Sequence, residues 1–478
     1  MNTTFYWHDY ETWGADPSRD RAAQFAGVRT DLELNPVGRP LMQFCRPADD
    51  MLPHPEACLV TGITPQQAAS EGVVEAEFFR AVHHELARPG TCGVGYNSIR
   101  FDDEVTRYGL YRNFYDPYAR EWQNGNSRWD LIDVVRLTHA LRPEGIEWPQ
   151  NEDGSTSFRL DRLTLANGIA HEGAHDALSD VYATIGLARL VRRRQPRLFD
   201  YLFRLRDKRR VGELLDLRSM KPVLHVSGMY PASRGCIAMV APLARHPTNS
   251  NGIIVYDLGE DPEPLLGLTP EQIAERLFTP RDRMPEGVTR IPLKTVHLNK
   301  SPAVVPLNTL TPEAAERWGI DVAAGERHLA RLRTDPGLAE RIAAAHRQRE
   351  FEPVTDPDRN LYGGGFFSDD DRRRMEQVRR TDPSELGGLR LDFDDARLPE
   401  LLFRYRARNW PRTLQREERQ RWEEFRRWRL TDPAADAGIT LASFRRTLAR
   451  LMVEGAPDAR ARGILSELAD WPDVIGIG

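Results

Sequence analysis

At 478 residues the chain exceeds a single core, and domains of roughly 100–200 residues suggest about three of them. A net charge of only −5 excludes a uniformly basic coat, so any polyanionic partner has to be met in a local groove. The four cysteines (Cys45, Cys58, Cys92, Cys236) lack Cys-x-x-Cys spacing, no apolar run approaches the ~18 residues of a membrane span, and residues 1–4 show no signal pattern, so a cytoplasmic protein without membrane contact, zinc ribbon or disulfide framework is expected.

Residues 5–12, Phe-Tyr-Trp-His-Asp-Tyr-Glu-Thr, read as a short apolar strand. Residues two apart on a strand point the same way, so Asp9 and Glu11 project together from its end, where a divalent cation could take both. The same spacing recurs at Asp31/Glu33 and Asp261/Glu263 in polar, turn-like segments, so the pair alone decides nothing. Residues 24–30 and 40–45 predict two more strands across the turn-rich 35–38, as an antiparallel meander. Thr64 suits a helix N-cap, Pro65 the first helical position and Gln67 the reciprocal capping partner. Phe78, Val82 and Leu86 recur at helical spacing, ahead of Pro89-Gly90 and a strand over 92–96. Asp102 follows at that strand's carboxyl end or at the next helix start, where open α/β sheets gather ligands; a plain helix-capping role is the alternative.

Residues 128–135 predict a further apolar edge segment and 151–154 a polar loop. Residues 174–180 lead into a helix carried by Val181, Ile185 and Leu187. His-x4-Asp spacing occurs twice there, as His175 with Asp180 and as His171 with Asp176, and spacing does not choose between them. From Arg189 to Arg210 ten Lys/Arg stand against two Asp, interrupted by Phe199, Tyr201 and Phe203. That stretch reads equally as a solvated helix face or as a phosphate-facing wall with platforms for bases. From Lys221 to about Pro306 the pattern is β, with one helix opened by the capping box Thr269-Pro270-Glu271-Gln272, and it fits a small barrel or curled sheet with nothing catalytic in it. Beyond Pro353 the chain turns helical, with Ser368 opening one helix and Trp422, Phe425 and Trp428 on the apolar side of another. Residues 403–410 interleave arginines with aromatics, as single-strand binders do and as a core with snorkelled arginines also does.

Asp9, Glu11, Asp102 and Asp180 in chain order, with His175, resemble the DEDD exonucleases whose last motif carries a histidine. Closer agreement lies in Asp9-Tyr10-Glu11-Thr12, in Tyr96-Asn97-x-x-Arg100-Phe101-Asp102-Asp103-Glu104-Val105-Thr106, in Tyr111-Arg112-Asn113-Phe114-Tyr115-Asp116-Pro117-Tyr118, in Ser127-Arg128-Trp129-Asp130 and in His175-Asp176-Ala177-x-x-Asp180-Val181-Tyr182-Ala183-Thr184. With residues 195–202, His225-Val226-Ser227-Gly228-Met229 and Tyr405-Arg406-Ala407-Arg408-Asn409, the sequence resembles the bacterial exodeoxyribonuclease I family over essentially its whole length.

The resemblance selects His175 with Asp180. It implies an α/β RNase H-like exonuclease domain over 1–195, an SH3-like β-barrel domain over 196–349 and an all-α C-terminal domain over 350–478. The implied activity is 3′→5′ digestion of single-stranded DNA to 5′-mononucleotides, in DNA repair and recombination. In-line phosphodiester hydrolysis in such enzymes uses two Mg²⁺ ions, with Mn²⁺ a possible substitute, and hard cations want carboxylate oxygens. Asp9, Glu11 and Asp180 are then expected on the metal that holds the attacking water, with Asp9 bridging to the second metal and Asp102 supporting it. His175 is expected to take the water's proton, because an imidazole titrates near neutrality. Substrate contacts are expected from Glu11, Arg128, Arg159, Tyr201, Arg404 and Arg406. As a monomer, the protein would dock the acidic C-terminal tail of single-stranded DNA-binding protein on Arg142, Lys221 and Arg333, although Thr311 stands where an arginine is expected. The same five site residues also suit a DEDD-type exoribonuclease, and an inactive single-strand-binding scaffold is the non-enzymatic alternative.

Overall fold

The computed structural model describes residues 3–171, 176–349, 352–455 and 458–478. The chain forms two compact units, each gathered from distant stretches: Met1–Ser127, His171–Ile185 and Pro353–Gly478 in one, Arg128–Ala170 and Gly186–Glu352 in the other. The sequence division at residues 195 and 349 follows chain order, whereas the compact units do not.

In the first unit β1 (Thr4–Thr12) lies between β2 (Ala22–Thr30), which is antiparallel to it, and β4 (Thr91–Gly95), which is parallel; β3 (Leu41–Phe44) extends the meander beyond β2. A central strand covered on both faces needs apolar residues at consecutive positions, and Phe5, Tyr6 and Trp7 are all buried. Tyr6, Tyr10 and Phe25 pack with Phe78, Phe79, Val82 and Leu86 of the helix Glu75–Leu86 and with Val105 and Leu110 of the helix Asp102–Arg112. Thr64 caps the helix Pro65–Glu71, its hydroxyl accepting from Gln67 N at 3.2 Å.

The C-terminal helices belong to the same unit. Phe444, Leu448, Leu465, Leu468 and Trp471 share one apolar core with Trp13, Met51, Leu52 and Ile63. Leu398, Leu401 and Tyr405 share a second with Tyr111 and Phe114. Trp422 is buried as expected, but Trp428 is 45% exposed, so the apolar side of the helix Arg416–Thr431 ends before it.

The second unit carries a five-stranded antiparallel sheet in the order Ala303–Pro306, Val223–Val226, Ile237–Arg245, Gly252–Asp257, Leu293–His297. Its helix Pro270–Phe278 opens with a complete Thr269/Gln272 capping box. Residues 128–135 divide: Ser127–Asp130 is an edge strand, as expected, and Leu131–Leu141 is a helix. The Asp130 carboxylate accepts from Ile132 N at 3.1 Å and so starts a helix where composition alone favoured strand. No helix among the described residues is long and apolar enough to cross a membrane.

Candidate functional site

The carboxyl end of β1 carries the site. Asp9 and Glu11 project from the same side of the strand, and Asp180 joins them from the first turn of the helix Ala177–Arg194; one carboxylate oxygen from each lies within 4.8 Å of the others. Among the described residues no other group of three such donors comes together. Asp102 is the first residue of the helix Asp102–Arg112, with Phe101 at the cap position. Its Oδ1 accepts from Tyr10 N at 3.1 Å, so the fourth acid is anchored to β1 between Asp9 and Glu11.

Desolvation, and then the charges of Asp180, Asp102 and Asp176, push the Glu11 carboxyl up to about 8. Asp9 is raised well above the ordinary carboxylate value by desolvation, then by Asp102, Glu11 and Asp180. Acids packed this closely favour the protonated form until a cation relieves their repulsion. An all-oxygen donor set of this kind fits a hard divalent cation, held by Asp9, Glu11 and Asp180 with Asp102 beside them. Asp176, which the sequence offered only as a rival partner for His171, adds a further acid to this field while its Oδ2 accepts from Ser179 N.

Of the two histidines, His175 lies outside the described residues. His171 Nε2 stands 2.5 Å from Asp180 Oδ1, a contact across nine residues that neither His-x4-Asp pairing anticipates.

The structure gives the expected substrate arginines varied surroundings. Arg159 is exposed and pairs with Asp161 at 2.9 Å. Arg128 is buried, with Nη2 donating to Asn299 O at 3.1 Å, and Tyr201 is half-buried with its hydroxyl donating to Val304 O at 3.1 Å. Arg404 and Arg406 are both engaged in ion pairs. Arg404 is buried against Asp358 at 2.7 Å and Glu400 at 2.9 Å, and Arg406 is buried against Glu418 at 2.6 Å. Arg408 completes the same lattice, bridging Asp50 at 2.8 Å and Asp358 at 2.5 Å, while Asp50 also takes Arg21 at 3.1 Å. Burial alone would raise the Asp50 carboxyl; Arg21, Arg408 and Arg429 outweigh it and hold it well below the usual carboxylate range. Buried charges persist only when paired, so these arginines are committed to the fold.

In the second unit Arg333 is exposed and its Nη2 donates to Ser219 O at 2.7 Å, two residues from the exposed Lys221. Arg142 Nη2 donates to Thr309 O at 3.2 Å, two residues from Thr311. Thr311 is a helix cap, its hydroxyl accepting from Ala314 N at 3.2 Å.

Three family models match the chain: "Exonuclease" over residues 6–188, "Exonuclease I SH3-like domain" over 206–348 and "Exonuclease I C-terminal domain" over 355–475. Exodeoxyribonuclease I of Escherichia coli is 52% identical over 428 residues, 89% of this chain and 90% of that one. Among solved structures, Exonuclease I from Methylocaldum szegediense superposes with a TM-score of 0.95 at 54% identity, covering 100% of both chains. The zinc-bound form of the E. coli enzyme's complex with single-stranded DNA gives 0.94 at 48% identity, covering 99% of this chain and 100% of that one.

Proposed function

The chain belongs to the exodeoxyribonuclease I family, and from that premise we propose that it removes nucleotides from the 3′ end of single-stranded DNA by cation-dependent phosphodiester hydrolysis, releasing 5′-mononucleotides. The observation that carries this reading is the Asp9, Glu11 and Asp180 group at the end of β1, in a chain whose E. coli relative has been crystallised on single-stranded DNA, in one form with zinc. Asp9, Glu11 and Asp180 would hold the cation, with Asp102 supporting, and Mg²⁺ in two copies, or Mn²⁺ in its place, is the occupant their all-oxygen chemistry favours. Such ions, when bound, activate water as a nucleophile and relieve charge on the leaving oxygen. His175 is assigned the water's proton.

Glu11, Arg128, Arg159 and Tyr201 remain the candidates for strand contact, and Arg404 and Arg406 are set aside because both guanidinium groups are buried and already paired, with Asp358 and with the half-buried Glu418. A monomer with a docking ridge for the tail of single-stranded DNA-binding protein at Arg142, Lys221 and Arg333 is part of the same reading. Its support is that Arg333 donates to Ser219 O, two residues from Lys221, and that Arg142 donates to Thr309 O, two residues from Thr311.

End-labelled single-stranded DNA, duplex DNA and RNA, each incubated with Mg²⁺ and with EDTA, test the function. Mononucleotides should appear from single-stranded DNA with Mg²⁺ alone. Preferential cleavage of RNA would move the reading to an exoribonuclease.

A further inference from the structure

Asp102 is tied to β1 twice, its carboxylate by the strand's backbone and its own backbone carbonyl through a pair of hydroxyls. Tyr10 N donates to Asp102 Oδ1 at 3.1 Å. On the opposite face of the strand the Tyr10 hydroxyl lies 3.0 Å from Thr106 Oγ1, and Thr106 Oγ1 donates to the Asp102 backbone carbonyl at 2.8 Å. A carbonyl can only accept, so the single Thr106 proton goes to Asp102 O, and the Tyr10 hydroxyl must be the donor to Thr106. The result is a closed loop in which Tyr10, lying between Asp9 and Glu11 in the strand, grips the first turn of the helix at both its carboxylate and its carbonyl. All three residues are buried, Tyr10 at 4%, Thr106 at 0% and Asp102 at 3% exposure, so water does not stand in for a lost hydroxyl.

The geometry points to Tyr10 and Thr106 as positioning residues that fix the Asp102 carboxylate against Asp9 and Glu11, so that the cation meets a preformed set of acids. This rests on the proposed function, in which Asp102 supports the cation. Neither hydroxyl belongs to the group of acids that would hold the cation. Partners that orient a metal-site acid without touching the metal typically matter about 10–100-fold in metal affinity or activity.

The test uses the full chain, with Mn²⁺ titrated in the absence of DNA by electron paramagnetic resonance and with kcat and KM measured separately on a single-stranded oligonucleotide in Mg²⁺. Thr106→Val, which keeps shape and removes both hydroxyl bonds, should weaken Mn²⁺ binding and lower kcat by about 10–100-fold while KM for the strand stays unchanged. Thr106→Ser should restore both. Tyr10→Phe, which leaves the Thr106 bond to Asp102 in place, should give a smaller loss in the same two quantities, and it carries the test if Thr106→Val fails to fold. Thr138→Val is the control: Thr138 is equally buried and makes the same bond to the carbonyl four residues back, at 2.8 Å from Val134 O, but holds no site acid. It should leave Mn²⁺ affinity and kcat as they are.

A folded Thr106→Val or Tyr10→Phe with wild-type Mn²⁺ affinity and kcat overturns the inference, as does a Thr138→Val loss of equal size. Asp102→Asn separates the two levels. If it is impaired and the hydroxyl variants are not, only the positioning role falls; if it is itself unimpaired, the place of Asp102 in the proposed site falls first.

Discussion

A chain ended at residue 352 should fail to fold, although all the site acids lie before that point. Residues 353–478 supply Phe444, Leu448, Leu465, Leu468 and Trp471 to the core whose other half includes Trp13, Met51, Leu52 and Ile63. Uncovering those four retained side chains, at roughly 1.5–3 kcal/mol each, costs about 6–12 kcal/mol. Asp50 would lose Arg408 and Arg429 and keep Arg21, and breaking a buried ion pair from one side costs about 3–5 kcal/mol more. Against a usual domain stability of about 5–15 kcal/mol the sum leaves little or nothing. Far-UV circular dichroism, urea unfolding and the single-strand exonuclease assay, run on the shortened and the full chain together, read the outcome. A cooperative urea transition accompanied by cation-dependent hydrolysis in the shortened chain would show that the unit folds without the C-terminal helices and make them an accessory.

The other expectations concern the site. Because the Glu11 carboxyl sits at about 8 instead of its ordinary 4.5, the cation-free protein keeps that proton at pH 7, and a cation must expel it. Affinity should rise between pH 6 and 8 by up to about tenfold per pH unit and level off above, as titration calorimetry in buffers of different ionisation enthalpy would show; a flat profile would count against it. The stability of the cation-free protein should move the other way, since a raised carboxyl pKa favours the native state below the ordinary value and that contribution is lost as pH climbs through about 8. His175→Ala should slow turnover by about 10²–10⁴-fold without changing cation affinity, whereas a loss as complete as removing Asp9 would give that residue a second role.

Local signals carried much of the architecture. Phe5-Tyr6-Trp7 announces a strand buried on both faces, Thr64 and Thr269 announce helix starts, and Asp9 and Glu11 fall on one side of β1 because strand geometry has a period of two. What stayed hidden depends on partners far away in the chain. Arg404, Arg406 and Arg408 look like a strand-binding comb until Asp50, Asp358 and Glu418 arrive from three separate segments to neutralise them. The break at Asp130 is hidden for a smaller reason: Leu131, Ile132, Val134 and Val135 suit either state, and one capping carboxylate tips them to helix. Tyr10 and Thr106 lie inside recognisable motifs, yet their pairing requires the register of β1 against the helix Asp102–Arg112, which no spacing rule supplies.

The most direct test of the central claim is Asp9→Asn in the full chain, measured for hydrolysis of a labelled single strand, for Mn²⁺ binding and for affinity to the same strand in EDTA. Loss of hydrolysis and of Mn²⁺ binding with strand affinity retained is the predicted result, because the substitution removes an acid from the cation site and leaves the strand-contacting residues untouched. Wild-type turnover by Asp9→Asn would mean that this acid does not hold the cation.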